Sequence, residues 1–228
     1  MKIPLTSRLL ACCSFIAPGD RVADIGCDHG YLGIYLLKNG IASTVIASDI
    51  REGPLQSAIR NSERFGVQDK ISFCLSDGVQ NISRDFDTLV CAGMGGDTMV
   101  SILSASPWLQ NEQYRLILQC QSKTPMLRRY LSDTGWQIQE EQVLKDGKFL
   151  YTVMEVVWQP DALKLTPAEC YLSPAMLKNP SENTKAYIQW VIEGLRIATA
   201  HADDPAKKQV LKELESLPEI AMLLRSSQ

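Results

Sequence analysis

The stretch Arg21-Val22-Ala23-Asp24-Ile25-Gly26-Cys27-Asp28-His29-Gly30-Tyr31-Leu32 decides the fold. Its apolar run, Arg21 to Ile25, ends in a turn holding two glycines, and Tyr31 to Leu37 continues with residues suited to a buried helix. Strand, glycine turn and helix in that order outline a nucleotide-cofactor site. The acids in the turn narrow the ligand. A dinucleotide site presents helix N–H groups to a pyrophosphate through G-x-G-x-x-G, and that pattern is missing here. Asp24 and Asp28 would repel a pyrophosphate, but they suit the ammonium and sulfonium of S-adenosylmethionine, which carries no phosphate. Gly26 and Gly30 let the backbone turn tightly beside such a ligand.

Outward from this segment, strands alternate with helices. Leu5 to Phe15 reads as a lead-in helix that stops before Pro18-Gly19. Strands are expected at Arg21–Gly26, Thr44–Ser48, Ile71–Leu75, Thr88–Cys91 and Leu116–Cys120. Helices are expected at Tyr31–Lys38, Pro54–Phe65, about Asp97–Leu103 and Pro125–Thr134. Near-continuous apolar strands separated by helices imply a buried parallel sheet covered on both faces. After Gly135 the pattern changes: Trp136–Leu144 and Phe149–Trp158 are strand-like runs joined by Lys145-Asp146-Gly147-Lys148, a hairpin signal. A parallel α/β sheet closed by an antiparallel pair matches the seven-stranded, Rossmann-like class I methyltransferase fold, whereas a dinucleotide dehydrogenase usually continues with a second parallel half.

The chain is expected to divide at about residue 160, into a cofactor-binding unit over 1–160 and a helical, coiled-coil-like unit over 161–228. In the second part, prolines punctuate helix-forming sequence, Ser181 opens a long helix to about Ala202, and Asp203-Asp204-Pro205 starts another over Ala206–Leu217. Two antiparallel helices satisfy this pattern. They are either a hairpin packed on its own apolar seam or an arm that grips RNA or a second copy.

Three strand ends carry acids: Asp24 with Asp28, then Asp49, then Asp77. In an open parallel sheet these loops converge on one crevice beyond the carboxyl ends of the strands. Asp49, with Ile50 beside it, lies about 20 residues beyond the glycine turn, where an acid generally accepts hydrogen bonds from ribose hydroxyls. Asp77, before Gly78, can accept from an adenine amino group. Any one such acid alone could be a helix cap or turn former; their joint occurrence points to the methyl donor.

The fourth strand runs into Cys91-Ala92-Gly93-Met94-Gly95-Gly96-Asp97, expected beside the transferred methyl. Gly93, Gly95 and Gly96 let a flat acceptor approach the backbone, and Met94 can lie against it; the alternative is a plain strand-to-helix turn. Methyl transfer from a sulfonium is in-line displacement at an activated carbon, so alignment and desolvation are what the protein must supply. The Asn/Asp-Pro-Pro-aromatic tetrapeptide of N6-adenine enzymes is absent, which disfavours an exocyclic amine as acceptor.

Composition sets outer bounds. With 228 residues, 45% of them hydrophobic, the chain can bury a substantial core. A net charge of -3 argues against bulk electrostatic coating of nucleic acid, although a local basic face is compatible with a selective RNA enzyme. Seven cysteines without a C-x-x-C, and two distant histidines, read as reduced core thiols, and no metal is expected. No run approaches the ~20 apolar residues of a membrane span and no signal-peptide pattern opens the sequence, so cytoplasm is expected.

Val22-Ala-Asp-Ile-Gly-Cys-Asp-His-Gly-Tyr-Leu32, Ala92-Gly-Met-Gly-Gly96 and Arg115-Leu-Ile-Leu-Gln119 together resemble the bacterial TrmK family of tRNA (adenine-N1)-methyltransferases, which modify adenosine 22 in the D-loop. The likeness extends to Leu5-Thr-Ser-Arg-Leu9 and the Asp146-Gly147-Lys148 hairpin, and beyond about Leu163 it is one of helical architecture. It implies a Rossmann-like domain binding S-adenosylmethionine and a helical region that helps hold tRNA. Neutral adenine N1 has an in-plane lone pair and needs no deprotonation, yet methylation makes the ring cationic, so a carboxylate near the exocyclic amine would favour the transition state. Asp28 is the first candidate for that role and Asp97 the second, Asp97 also suiting a helix start. His29 and Tyr31 either contact donor or base or serve the architecture; an aromatic face would help hold an extruded base. For the RNA track the candidates are Arg8, Lys123, Arg128 and Arg129, with Lys2 and the tail lysines Lys207, Lys208 and Lys212; such residues are equally often a solvated basic face. The competing readings are an enzyme acting on another RNA or a small molecule, a non-catalytic donor-binding protein and, last, an NAD-dependent dehydrogenase.

Overall fold

The computed structural model describes residues 2–225. Strands β1 (Asp20–Ile25), β2 (Ala42–Asp49), β3 (Ile71–Leu75), β4 (Thr88–Gly95), β5 (Arg115–Ser122), β6 (Trp136–Asp146) and β7 (Phe149–Trp158) form one sheet in the order β3-β2-β1-β4-β5-β7-β6. The first five run parallel, and β7 pairs antiparallel with both β5 and β6. The strand order reverses at β1, which has β2 on one side and β4 on the other. The carboxyl ends of these strands therefore splay around one crevice.

Period-two alternation divides the strand side chains between two cores. Val22, Val45, Val90, Ile117 and Val153 face α1 (Ser7–Cys13), α2 (Tyr31–Lys38) and α3 (Glu52–Phe65). Their neighbours Ala23, Leu89, Leu116 and Met154 face α4 (Gly96–Ser104) and α5 (Thr124–Asp133). All seven cysteines are free thiols and six are buried. Burial raises the pKa of those six, for Cys91 up to about 12.

The structure departs from the sequence reading at β4. The strand does not end at Cys91 but continues to Gly95 through a bulge: Ala92 pairs with Gln119 and Met94 with Cys120, leaving Gly93 out of register. Gly93 has φ +77°, and its N–H is taken by the Gln119 side chain at 3.0 Å. The hairpin also differs in detail. Asp146 pairs with Phe149, so Gly147 and Lys148 make the turn, with Gly147 at φ +61°.

Helices α6 (Pro174–Lys178), α7 (Glu182–His201), α8 (Pro205–Ser216) and α9 (Pro218–Arg225) complete the chain; α6 and α9 had no counterpart in the sequence reading. Ser181 and Thr184 form a capping box at the start of α7, and Asp204 caps α8. Tyr187, Ile188, Val191, Ile192 and Leu195 of α7 bury against Val210 and Leu214 of α8, but also against Val143 of β6. The helical hairpin is thus docked on the sheet edge as well as on itself. None of the helices among the described residues is long and apolar enough to cross a membrane.

Arg128 fastens this dock, and the expectation that it clamps phosphate is corrected. Its side chain is 0% exposed and pairs with Glu141 of β6, Nη2 to Oε1 at 2.6 Å. Its Nη1 donates to the carbonyls of Cys170 at 2.9 Å and Tyr171 at 2.6 Å. Ser173 donates its hydroxyl to the same Glu141 and also caps α6. One guanidinium therefore joins α5, the edge strand and the segment leading into the C-terminal helices. Removing one partner of a buried pair strands the other charge at a cost of about 3–5 kcal/mol, whereas replacing both by apolar residues is often neutral. Arg128→Ala should lower unfolding free energy by that amount in denaturant titration, and Arg128→Met with Glu141→Leu should recover part of it, the Cys170 and Tyr171 carbonyls and the Ser173 hydroxyl still lacking their partners. Equal losses in the single and double variants would contradict this assignment.

Candidate functional site

A cleft of about 550 Å³ opens at the carboxyl ends of β1, β2 and β4, under α1 and beside α4. Its floor follows from the backbone. After β1, the N–H groups of Gly26 and Cys27 both donate to Ser48 O at 2.8 Å, tying the turn to the end of β2. Gly26 has φ +73°, a left-handed conformation that favours glycine, and a Cβ there would meet the end of the Met94 side chain, Cε at 2.5 Å. Asp28 also adopts a left-handed backbone, φ +51°, which Asp tolerates better than most residues. That conformation aims its N–H at Asp49 Oδ2, 3.1 Å away.

Asp49 is 5% exposed and held at both oxygens, by the Asp28 N–H on Oδ2 and by the Arg51 N–H on Oδ1 at 2.9 Å. Each oxygen keeps a lone pair to accept from a ligand hydroxyl. Asp24 differs. It is 4% exposed, the Gly33 N–H in the first turn of α2 supports its carboxylate, and its Oδ2 is buried without a hydrogen-bond partner among the described residues. Burial, and then the neighbouring Asp49 carboxylate, push its pKa up to about 7, with the Gly33 N–H pulling weakly the other way. Once deprotonated, this carboxylate has no cation paired with it among the described residues.

Ser76, Asp77 and Gly78 form the next wall, with Ser76 N–H bonded to Asp49 O at 3.0 Å. Ile50 is 62% exposed at the cleft mouth. Asp28, His29 and Tyr31 line the opposite lip: His29 Nε2 lies 3.8 Å from Asp28 Oδ1, and the His29 and Tyr31 rings are 5.9 Å apart. Arg8 reaches in from α1, anchored by Asp146 at 2.8 Å and lying over the Tyr151 ring at 5.2 Å.

Most of the expected residues therefore meet in one place: Asp24, Gly26, Asp28, His29, Tyr31, Asp49, Ile50, Asp77, Gly78, Gly93, Met94 and Arg8 all line the cleft. The others do not. Gly30, at φ +72°, packs against Ala58 of α3. Gly95 and Gly96 close against Asp97 and the Ser122–Lys123 backbone rather than facing an acceptor. Asp97 is corrected too: its exposed carboxylate pairs with Lys123 Nζ at 2.9 Å, which lowers its pKa, and it is outside the cleft lining. Lys123 and Arg129 are exposed, beyond the end of β5. Sequence reasoning missed Gln119 and Gln121, both lining the cleft; the alternating polar residues Gln119-Cys120-Gln121 at the end of an apolar strand were the available signal. Among the described residues there is no cluster of acids, histidines and cysteines able to hold a metal.

The raised pKa of Asp24 has a consequence for stability. A carboxyl whose folded pKa exceeds its unfolded value stabilises the fold at low pH and loses that contribution as pH rises toward about 7. Asp24→Asn should therefore gain stability over wild type between pH 5 and pH 8 in the ligand-free protein, by ~2 kcal/mol. Melting curves at the two pH values check this; a difference that stays constant or shrinks would contradict it.

Comparison with known proteins agrees with this geometry. Residues 5–154 match a family described as "Methyltransferase domain". The tRNA (adenine(22)-N(1))-methyltransferase of Bacillus subtilis is 31% identical over 231 residues, covering 96% of each chain. The solved structure of the B. subtilis M1A22 tRNA methyltransferase TrmK superposes with a TM-score of 0.81 at 28% identity, over 98% of this chain and 100% of that one. Streptococcus pneumoniae Sp1610, solved in complex with S-adenosyl-L-methionine, gives 0.82 at 28% identity, over 97% of this chain and 100% of its own. With its helical C-terminal part included in the match, the chain belongs to the methyltransferase domain family and, within it, to the TrmK family of tRNA (adenine(22)-N(1))-methyltransferases.

Proposed function

We propose that this protein transfers a methyl group from S-adenosyl-L-methionine to N1 of adenosine 22 in the D-loop of tRNA. The observation that carries the donor is the unpartnered Asp24 oxygen beside the doubly held Asp49. The relation to the B. subtilis enzyme, along nearly its full length, carries the acceptor.

The residues fit the donor part by part. Asp24 gives its ammonium a buried countercharge, Asp49 accepts from the two ribose hydroxyls, and Asp77 faces the adenine amino group. Ile50 and Ile102, both lining the cleft, offer apolar faces to the ring. When bound, S-adenosylmethionine supplies an electrophilic methyl carbon. The chain's task is then to align the acceptor and exclude water. The Gly93 bulge and Met94, both lining the cleft, would form the wall beside the reacting methyl. Gln119, 0% exposed, fixes the bulge through the Gly93 N–H, while Gln121 keeps an exposed amide at the cleft lip. Adenine N1 attacks through its own lone pair. Asp28, with its carboxylate 62% exposed on the lip, is placed to face the exocyclic amine as the ring becomes cationic. Asp97 and Arg128 are no longer candidates. The tRNA-facing set keeps Arg8, Lys123 and Arg129, with the tail lysines Lys207, Lys208 and Lys212, and we assign the donor site to a unit over 1–160 and tRNA support to 161–228. We place the activity in the cytoplasm with its substrate.

The test is mass spectrometry of transcript tRNA after incubation with donor. The expected product is 1-methyladenosine at position 22; 6-methyladenosine, or donor binding without product, would contradict the reading. Asp49→Ala should weaken donor binding at least tenfold, since hydrogen bonds to a charged group contribute about 1.5–3 kcal/mol each, while leaving tRNA affinity within about twofold. Unchanged donor affinity in calorimetry would refute the assignment of Asp49.

A further inference from the structure

A second cavity of about 280 Å³ lies on the other side of the β5–α5 loop, between that loop, the start of β7 and helix α7. The geometry points to a subsite for one unpaired nucleobase of the substrate RNA, the neighbour of the methylated one. This assignment rests on tRNA being the substrate.

Four observations carry it. The first is continuity, because Gln121 lines both this cavity and the donor cleft. A nucleotide chain laid across the loop would place adjacent bases on its two sides. The second is the nature of the walls. Trp190 and Tyr187 of α7 lie 5.6 Å apart, and Trp190 is 64% exposed, so an indole face is free to take a flat ring. Aromatic platforms of this kind hold unstacked bases without regard to sequence.

The third observation is Thr152. It is 1% exposed, lines the cavity, and its Oγ1 has no hydrogen-bond partner among the described residues. On β7 it lies opposite Cys120 of β5 and Val143 of β6, a central position where a β-branched apolar residue would pack equally well. A buried hydroxyl left without a partner is costly, and the edge of a heterocycle supplies both donors and acceptors to satisfy it. A lipid tail or an aliphatic side chain would not. The fourth is the rim, where Lys123 and Lys207 stand, each paired with a single carboxylate, Asp97 and Asp204, at 2.9 and 3.0 Å. Exposed pairs of this kind open at little cost when a phosphate arrives.

The dock made by Arg128 gives the subsite its shape. By holding Tyr171 and α7 against the sheet edge, it sets the distance between the Thr152 floor and the Trp190 wall.

The experiment compares wild type, Trp190→Ala and Thr152→Val in steady-state methylation of transcript tRNA, and of the same tRNA carrying an abasic residue on either side of the target. Trp190→Ala should raise KM for tRNA roughly tenfold, the scale of one lost stacking contact. Thr152→Val should raise it about threefold, the scale of one lost hydrogen bond, without lowering the melting temperature. Donor affinity should stay within about twofold in both. One abasic tRNA should cost the wild type a similar factor and add nothing to Trp190→Ala, because both remove the same contact. Losses that multiply on both abasic substrates, or an unchanged KM in Trp190→Ala, would overturn the subsite. Tryptophan emission supplies a readout independent of turnover: tRNA should quench it in wild type and less in Trp190→Phe. Full quenching in Trp190→Phe would also count against the subsite. Wild type that binds tRNA with Trp190-dependent quenching yet makes no product would instead fail the proposed reaction and leave the subsite standing.

Discussion

Two carboxylates, Asp24 and Asp49, are buried side by side at the ends of adjacent parallel strands, and the site is built around the need to keep both there. Like charges in a poorly solvated place repel, so each needs compensation. The fold gives Asp49 its full share through two backbone N–H groups, one of which exists only because Asp28 accepts a left-handed conformation. Asp24 receives the first turn of α2 on one oxygen and, among the described residues, nothing on the other. The imbalance makes the empty protein hold a proton near neutrality that a bound cation would displace. Under the proposed function, this arrangement favours a phosphate-free, cationic donor over a pyrophosphate.

The second constraint is mechanical. The Arg128–Glu141 pair contributes less as an ion pair than as a joint, since its desolvation offsets much of its attraction. Its value lies in geometry: α5, β6 and the segment before α6 converge on it, and α7 is consequently fixed beside the loop that follows β5. The helical part is then a wall of the active face rather than a tethered arm. The donor cleft and the cavity against α7 thus lie on either side of the β5–α5 loop, with Gln121 lining both.

How much of this was legible in the sequence differs by element. The strand–turn–helix at Val22–Leu32 could be read because apolar patterning, glycines and acids there all report local chemistry, and the three strand-end acids converge as the topology rule requires. The β4 bulge was not legible, because Gly93-Met94-Gly95-Gly96 has the composition of a turn, and only pairing with β5 reveals that the strand continues. Arg128 was misread because Arg128-Arg129 looks like a basic patch when taken as neighbours in sequence. Taken at helical spacing, Thr124, Leu127, Arg128 and Leu131 form one buried face and Arg129 lies off it. Asp97 and Gly96 carried signals for both a helix start and an acceptor loop, and the contacts with Ser122 and Lys123 that decide between them are long-range. Helices α6 and α9 are too short and too closely bounded by proline to stand out from loops.

The proton on Asp24 offers the most direct test of the account. Isothermal titration of S-adenosylmethionine at pH 6, in two buffers that differ in ionisation enthalpy, counts the protons exchanged on binding. At that pH the amine of the donor, with a pKa near ~8, is already charged. With Asp24 titrating at about 7, most of the free protein carries its proton. The account predicts release of close to one proton per ligand bound, and loss of that release in Asp24→Asn. Binding at pH 6 with no proton released, or with release unchanged in the variant, would contradict it.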